Sequence, residues 1–281
     1  MPAAGGVGQS FAYASSVLSF AGQSLVRLVR SPSHSRRVEA ARKLAFHWLL
    51  IAAIGGVVVV VLMYGLDARE IGLMPPRGSA DLWPLRILTD FGKSEYVLGL
   101  LAMVLAVFAA ISPRFRGASR VILIATGTRI QFLFLAVAIP VLAGDLIKGI
   151  VGRGRPFVGG EANAFNFSHF AWTPAYASFP SGHAITSFAL AFAVAALWPR
   201  TRIVMLIYAL VIIATRLILL AHHPSDVVAG GILGVVGAMF VRYWFAARHL
   251  CFSIDGRGAV KPLVGPSAEQ LKRVAREALA P

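Results

Sequence analysis

The sequence has little of what a soluble or disulfide-built protein needs. Only 14% of its 281 residues are charged, against about 25% in ordinary soluble domains. With 57% hydrophobic residues and a mean hydropathy of +0.73, the chain is too apolar for a soluble monomer. A multi-span membrane protein is the class that remains. Cysteine is nearly absent. Cys251 stands alone, which excludes an intrachain disulfide and a zinc site anchored on thiolates. Acids are few, 12 against 27 lysines and arginines, for a net charge of +15. That excess would suit nucleic acid if it formed one face of a soluble fold. Here it falls mainly between apolar segments, so no nucleic-acid partner is expected. Residues 1–43 lack a long apolar run ahead of a cleavage site, and no cleavable signal peptide is expected. There is no internal repeat and no low-complexity segment.

What is present is a series of long apolar segments. Six are expected to cross a bilayer, near 44–66, 96–113, 120–148, 182–198, 202–221 and 227–247, since a span takes about 20 helical residues. The fold class expected is all-α and polytopic, with a basic, amphipathic segment over 1–43, a six-helix domain over 44–247 and a tail over 248–281. Residues 11–29 pattern as an interfacial helix, and the tail as one ending in a short amphipathic helix. One set of connections carries Arg27, Arg30, Arg36, Arg37, Arg42 and Lys43, then Arg114, Arg116 and Arg120, then Arg200 and Arg202, then the basic residues from Arg242 onward, including Arg257. The other set carries Arg69, Arg77, Arg86, Lys93, Lys148, Arg153, Arg155 and Arg216, diluted by most of the acids. Basic residues favour the inner side. Both termini are therefore expected in the cytoplasm of an inner-membrane protein, with the loops near 67–95, 149–181 and 222–226 outside. Arg129 is read as interfacial and Gly230-xxx-Gly234 as a close-packing motif.

The outward side collects the unusual residues. "KGIVGRGRP" ends the third span with Lys148, Arg153, Arg155 and Pro156; "PSGH", 180–183, opens the fourth; "TRLILLAHHPSD" joins the fifth and sixth with Arg216, His222 and Asp226. Lysine and arginine capture anions, arginine in a two-pronged fork matched to phosphate oxygens. The fourth span begins outside, so its free N–H groups and positive dipole end face the same way. Ser181 can cap that end or donate its hydroxyl, and Gly182 lets an oxyanion approach the backbone. A mere anion seat would not need imidazoles. His222 and Asp226, four apart, would share a helical face, although Pro224 interrupts it. A carboxylate on one ring nitrogen fixes the tautomer and leaves the other free to attack, with His183 placed to protonate a leaving alkoxide. Acids are otherwise scarce on this side, with Asp145 and Glu161 nearest, so a two-metal site is poorly supported.

With these residues in place, the chain resembles the type 2 phosphatidic acid phosphatase family, the lipid phosphate phosphatases whose superfamily includes vanadium haloperoxidases. The family motifs K-x6-R-P, P-S-G-H and S-R-x5-H-x3-D read here as Lys148…Arg155-Pro156, Pro180-Ser181-Gly182-His183 and Thr215-Arg216…His222…Asp226, with Thr215 in place of serine. The resemblance covers roughly 44–247. It implies that Lys148, Arg155, Ser181, Gly182, His183 and Arg216 bind phosphate. It further implies that His222, rather than His223, forms a phosphohistidine, that Asp226 orients it, and that His183 is the general acid and then activates water. No metal or other cofactor would be needed.

The function expected is a membrane phosphatase acting on a lipid monophosphate or diphosphate, such as phosphatidate, phosphatidylglycerol phosphate, polyprenyl diphosphate or lipid A phosphate. The same residues would serve a phosphotransferase that passes phosphate to a lipid hydroxyl. A non-catalytic lipid-binding or translocating protein is the alternative of another class, and the His222, Asp226 and His183 constellation argues against it. The loop 157–179 is dense in aromatics, with Phe157, Phe165, Phe167, Phe170, Trp172, Tyr176 and Phe179. It reads either as a stiff cap on the helices or as a lateral entry for lipid.

Overall fold

The computed structural model describes residues 4–76, 78–156, 158–160, 162–255 and 258–279. Arg77, Phe157, Glu161 and Arg257, named above, lie outside the described residues, as do the side chains of residues 4–9, Arg37 and Leu279. The helices are α1 (Ala4–Val29), α2 (His34–Gly65), α3 (Asp67–Leu73), α4 (Trp83–Asp90), α5 (Ser94–Ile111), α6 (Gly117–Val151), α7 (Gly182–Leu197), α8 (Arg202–Ile218), α9 (Pro224–Ala247) and α10 (Ala268–Leu279). An antiparallel hairpin of β1 (Phe252–Ile254) and β2 (Val260–Pro262), unexpected from the sequence, lies in the tail.

The protein is an all-α polytopic membrane protein. Among the described residues, five helical stretches are long and apolar enough to cross a bilayer: His34–Gly65, Ala80–Arg114, Gly117–Val151, Pro199–Ile218 and Pro224–Ala247. The remaining expected span, α7, has 16 residues, about 24 Å at 1.5 Å per residue. It needs no full lipid-facing length, because α6, α8 and α9 surround it. Large apolar side chains point outward instead, among them Leu49, Ile54, Val57, Leu100, Met103, Leu142, Leu146, Ile203 and Val204. Such continuous exposed apolar surface suits hydrocarbon rather than water. The basic run Arg36, Arg42 and Lys43 lies on the first turns of α2, which starts earlier than expected.

The core joins α6, α7 and α9 around Phe132, Phe245 and Phe252. Phe132 meets the other two rings edge-on at centroid distances of 5.3 and 4.8 Å. Phe252 comes from β1, so the tail is part of the core. Arg129 is buried beneath that tail rather than bathed at an interface. Its guanidinium donates to the carbonyls of Ala125 at 2.8 Å and Leu263 at 3.0 Å. The last helix, α10, closes on α6 through Val274, packed with Phe115, Ile122 and Leu123.

Two helix termini set the site. α6 stops at Gly152, whose φ of 57° ends the helix in the left-handed region. A side chain there would also strike the Ser168 carbonyl. α9 starts at Pro224, whose fixed φ and missing N–H suit a first helical position. α7 and α9 approach closely at the glycines singled out above. A Cβ on Gly230 would lie 2.5 Å from the Ser181 carbonyl oxygen.

That approach predicts a reversal of the usual helix propensity. Gly234→Ala should lower Tm by several degrees, because overpacking costs about 1–3 kcal/mol and outweighs the gain of about 1 kcal/mol from alanine in a helix. Gly56→Ala, where nothing lies within 4 Å, should hold or raise Tm. Thermal unfolding of both variants in detergent checks the contrast.

Candidate active site

At the ends of α6 and α8 and the starts of α5 and α7 lies a cavity of about 230 Å³. Six of the expected site residues line it: Lys148, Arg155, Gly182, His183, Arg216 and His222. The three motifs thus converge in one place. Lys148 sits in the last turn of α6, its Nζ 2.7 Å from Asp145 Oδ1. A Cβ on Gly182 would stand 2.9 Å from that same Nζ, so glycine is what keeps the ammonium against the first turn of α7. Arg155 donates from Nε to the Pro174 carbonyl at 2.9 Å and from Nη1 to the Ala221 carbonyl at 3.1 Å. Arg216, in the last turn of α8, donates to Thr89 Oγ1 at 2.9 Å. Three cations, a helix N-terminus and two imidazoles around one cavity make a receptor for an anion with several oxygens.

His222 is 2% exposed. Its Nδ1 lies 2.8 Å from the Ser178 carbonyl, a group that only accepts. Nδ1 therefore carries the proton and Nε2 keeps a free lone pair. Burial holds this imidazole well below its ordinary range, and Arg155 and Arg216 act in the same direction. The ring is neutral at neutral pH, as a nucleophile must be. His183 lines the cavity from α7, and its buried Nε2 has no partner among the described residues.

Three expectations change. Asp226 does not hydrogen-bond to His222: its Oδ2 is 3.9 Å from Nδ1. Pro224 starts α9, so His222 lies outside the helix, and the spacing of four places no shared face. The Asp226 carboxylate turns back to accept from the His223 N–H at 2.9 Å, the Ser178 hydroxyl at 2.6 Å and Arg153 Nη1 at 2.6 Å. It thus reaches His222 only through Ser178. Ser181 stands at the N-cap of α7, yet its side chain makes no capping bond. Its hydroxyl is buried without a partner among the described residues and does not line the cavity. Arg153, grouped above with Lys148 and Arg155, is 1% exposed and turned away from the cavity. It bridges Asp67 at 2.8 Å and Asp226 at 2.6 Å.

The acids on this side are also more numerous than expected. Glu95 lines the cavity beside Asp145, while Asp67 and Glu70 are buried behind it. Among the described residues, no three His, Cys, Asp or Glu side chains gather as a metal-holding group. Ser178 and Thr89 carried no sequence signal. Asp67 carried a weak one, as a carboxylate at the very end of an apolar span.

The loop 149–181 is tied down to the end of α6. Ser168 N–H donates to the Gly152 carbonyl at 2.7 Å, Gly154 N–H to Asn166 at 2.8 Å and Arg155 N–H to Ala175 at 2.9 Å. Trp172 lies against Gly149, where a side chain would clash with its indole. This is the cap reading. Phe165, Phe170 and Trp172 nonetheless remain exposed on the outer surface of that cap.

The class these features define is an all-α membrane protein with an anion receptor and a neutral imidazole in one cavity at the ends of its helices. The PAP2 superfamily model matches residues 130–250, a stretch that holds all three motifs. It is similar to a lipid A 1-phosphatase of Rhizobium johnstonii, 35% identical over 51% of this chain and 57% of the relative. A lipid A 1-phosphatase of Rhizobium etli is also 35% identical, over 45% of this chain and 55% of the relative. The bacitracin transport permease protein BcrC of Bacillus licheniformis is 27% identical over 58% of this chain and 79% of the relative. The chain thus spans little more than half the length of the two rhizobial relatives. No solved structure matches it.

Glu70 supplies a pH test. Burial, with Asp67 and Asp226 nearby, pushes its carboxyl from 4.5 up to about 7. A raised carboxyl favours the protonated fold, so its contribution is full below about 4.5 and is lost as pH rises through about 7. Glu70→Gln should therefore gain Tm over the wild type at pH 8 and differ little at pH 5. An equal difference at both values would show that Glu70 is ionised throughout.

Proposed function

We propose that this protein is a membrane lipid phosphatase working through a phosphohistidine on His222. The observation that carries the reading is the gathering of Lys148, Arg155 and Arg216 around His222 and His183 in one cavity. His222 Nε2 attacks phosphorus and forms the N–P bond as the ester or anhydride P–O bond breaks. His183, protonated beforehand, gives its proton to the departing oxygen and then takes one from the water that cleaves the N–P bond. Inorganic phosphate leaves and both imidazoles return to their starting states. Lys148, Arg155 and Arg216 hold the phosphoryl oxygens, and the Gly182 backbone stands close by, while the Ser181 hydroxyl would have to turn toward the cavity to join them. Asp226 acts at one remove, by fixing Ser178. No step calls on a metal.

The catalytic unit on this reading is the helical domain over 44–247. Membrane-level placement favours a lipid over a soluble ester, and two relatives are named for lipid A, so a lipid A phosphate is the first substrate to test. Phosphate release by the purified protein from lipid A, phosphatidate, phosphatidylglycerol phosphate and polyprenyl diphosphate ranks the candidates. His222→Ala should abolish release, since loss of a nucleophile costs about 10⁴-fold or more. His223→Ala should retain measurable turnover, because His223 does not line the cavity. Wild-type-like release by His222→Ala would end this mechanism.

We further propose that both termini are cytoplasmic and the cavity faces outward in the cell membrane. The motive is the charge bias of the connections. Cys251 cannot report it, being 1% exposed with its thiol pushed up by burial to about 12. Val264, 99% exposed in the tail, can. An impermeant thiol reagent should label Val264→Cys only after the membrane is opened, and labelling in intact cells would invert the orientation.

A further inference from the structure

Asp67 begins α3, just beyond the end of α2. It lies outside the 130–250 stretch that carries the superfamily match and takes no part in lining the cavity. Yet its fully buried carboxylate is committed to two parts of the site. Oδ1 accepts from the Ser225 N–H at 3.0 Å, in the first turn of α9. Oδ2 accepts from Arg153 Nη2 at 2.8 Å and from the Ser225 hydroxyl. From there the contacts run unbroken to the imidazole. Arg153 Nη1 donates to Asp226 Oδ1 at 2.6 Å, and Asp226 Oδ2 accepts the Ser178 hydroxyl at 2.6 Å. The Ser178 carbonyl takes His222 Nδ1 at 2.8 Å. Ser178 is fixed a third way, its N–H donating to the Arg153 carbonyl at 3.0 Å.

We infer that Asp67 is a positioning residue for His222, holding Arg153 and the start of α9 so that the imidazole is aimed into the cavity. The inference rests on the His222 reaction proposed above. Burying a carboxylate and a guanidinium is costly, and apolar side chains could join α3 to α9 without that cost. The chosen partners are what give the pair a use: it ends on the groups that set His222. The short helix that follows the first membrane helix thereby contributes to a site whose motifs all lie beyond it. A ring displaced by about 1 Å loses about 100-fold in rate, so small shifts in this chain of contacts matter.

The test is the single-turnover rate constant with full-length enzyme in excess over lipid A phosphate. At saturating enzyme, with folded enzyme still in excess over substrate, the first-order constant does not depend on how many molecules are folded, so a merely structural loss leaves it unchanged. Asp67→Asn, which keeps the shape and removes the charge, should lower the constant about 10-fold or more. Ser225→Ala, which removes only the hydroxyl shared by Asp67 and Arg153, should lower it several-fold. A wild-type constant in folded Asp67→Asn, with His222→Ala inactive, overturns the role of Asp67 alone. If Asp67→Asn does not fold, a wild-type constant in Ser225→Ala overturns it. If lipid A phosphate is not turned over, the same constants are read on whichever of the four candidate lipids is; failure of the wild type on all four, or full turnover by His222→Ala, overturns both this role and the underlying reaction.

Discussion

Arg153, buried between Asp67 and Asp226, is the contact on which the arrangement of the cavity hangs. One guanidinium meets two carboxylates, the Ser225 hydroxyl and the Ala164 carbonyl. A buried charge left without its partner costs about 3–5 kcal/mol, so the four chain segments that meet here cannot shift independently. They are the start of α3, the turn after α6, the loop before α7 and the start of α9. The cavity is the space these fixed ends leave between them and α5 and α8.

Close backbone packing does the rest. The Ser181 N–H donates to the Asp226 carbonyl at 3.0 Å, joining the mouths of α7 and α9 directly. Gly230 and Gly234 make that contact possible by letting the two helices nearly touch. A helix as short as α7 is thereby held with its N-terminus at the cavity floor, where its free N–H groups can meet an anion. The cations then stand at helix ends that are already placed, Lys148 on α6 and Arg216 on α8, with Arg155 stapled by the Pro174 carbonyl before α7 and the Ala221 carbonyl between α8 and α9. Order in the site is inherited from the helix termini rather than from the flexible side chains.

This also explains what could and could not be read in the sequence. Lys148, Gly182, His183, Arg216 and His222 were legible because each sits at or beside a helix boundary that apolar length, proline and glycine announce. Span order alone then put them on one side. The partner of His222 was not legible. A spacing of four suggests a helical pair, but Pro224 starts the helix after His222, and the Asp226 carboxylate is drawn back to the His223 N–H. Ser178, a serine in an irregular loop, has no signature for the backbone carbonyl it offers. Arg153 and Arg155 look alike in sequence, and only the tertiary position of Asp67 separates a buried scaffold residue from a cavity cation. The burial of Arg129, read as interfacial, was hidden for a similar reason: the tail folds back over it.

The most direct test of the account is to catch the covalent intermediate. A phosphoramidate survives alkali and is lost in acid, so the purified protein should be mixed with its lipid phosphate, quenched in base and digested for mass spectrometry. The account predicts phosphate on the peptide containing His222, localised to that residue and removed by acid. Steady release of phosphate with no phosphoryl group on His222, or with the group on another residue, would contradict it.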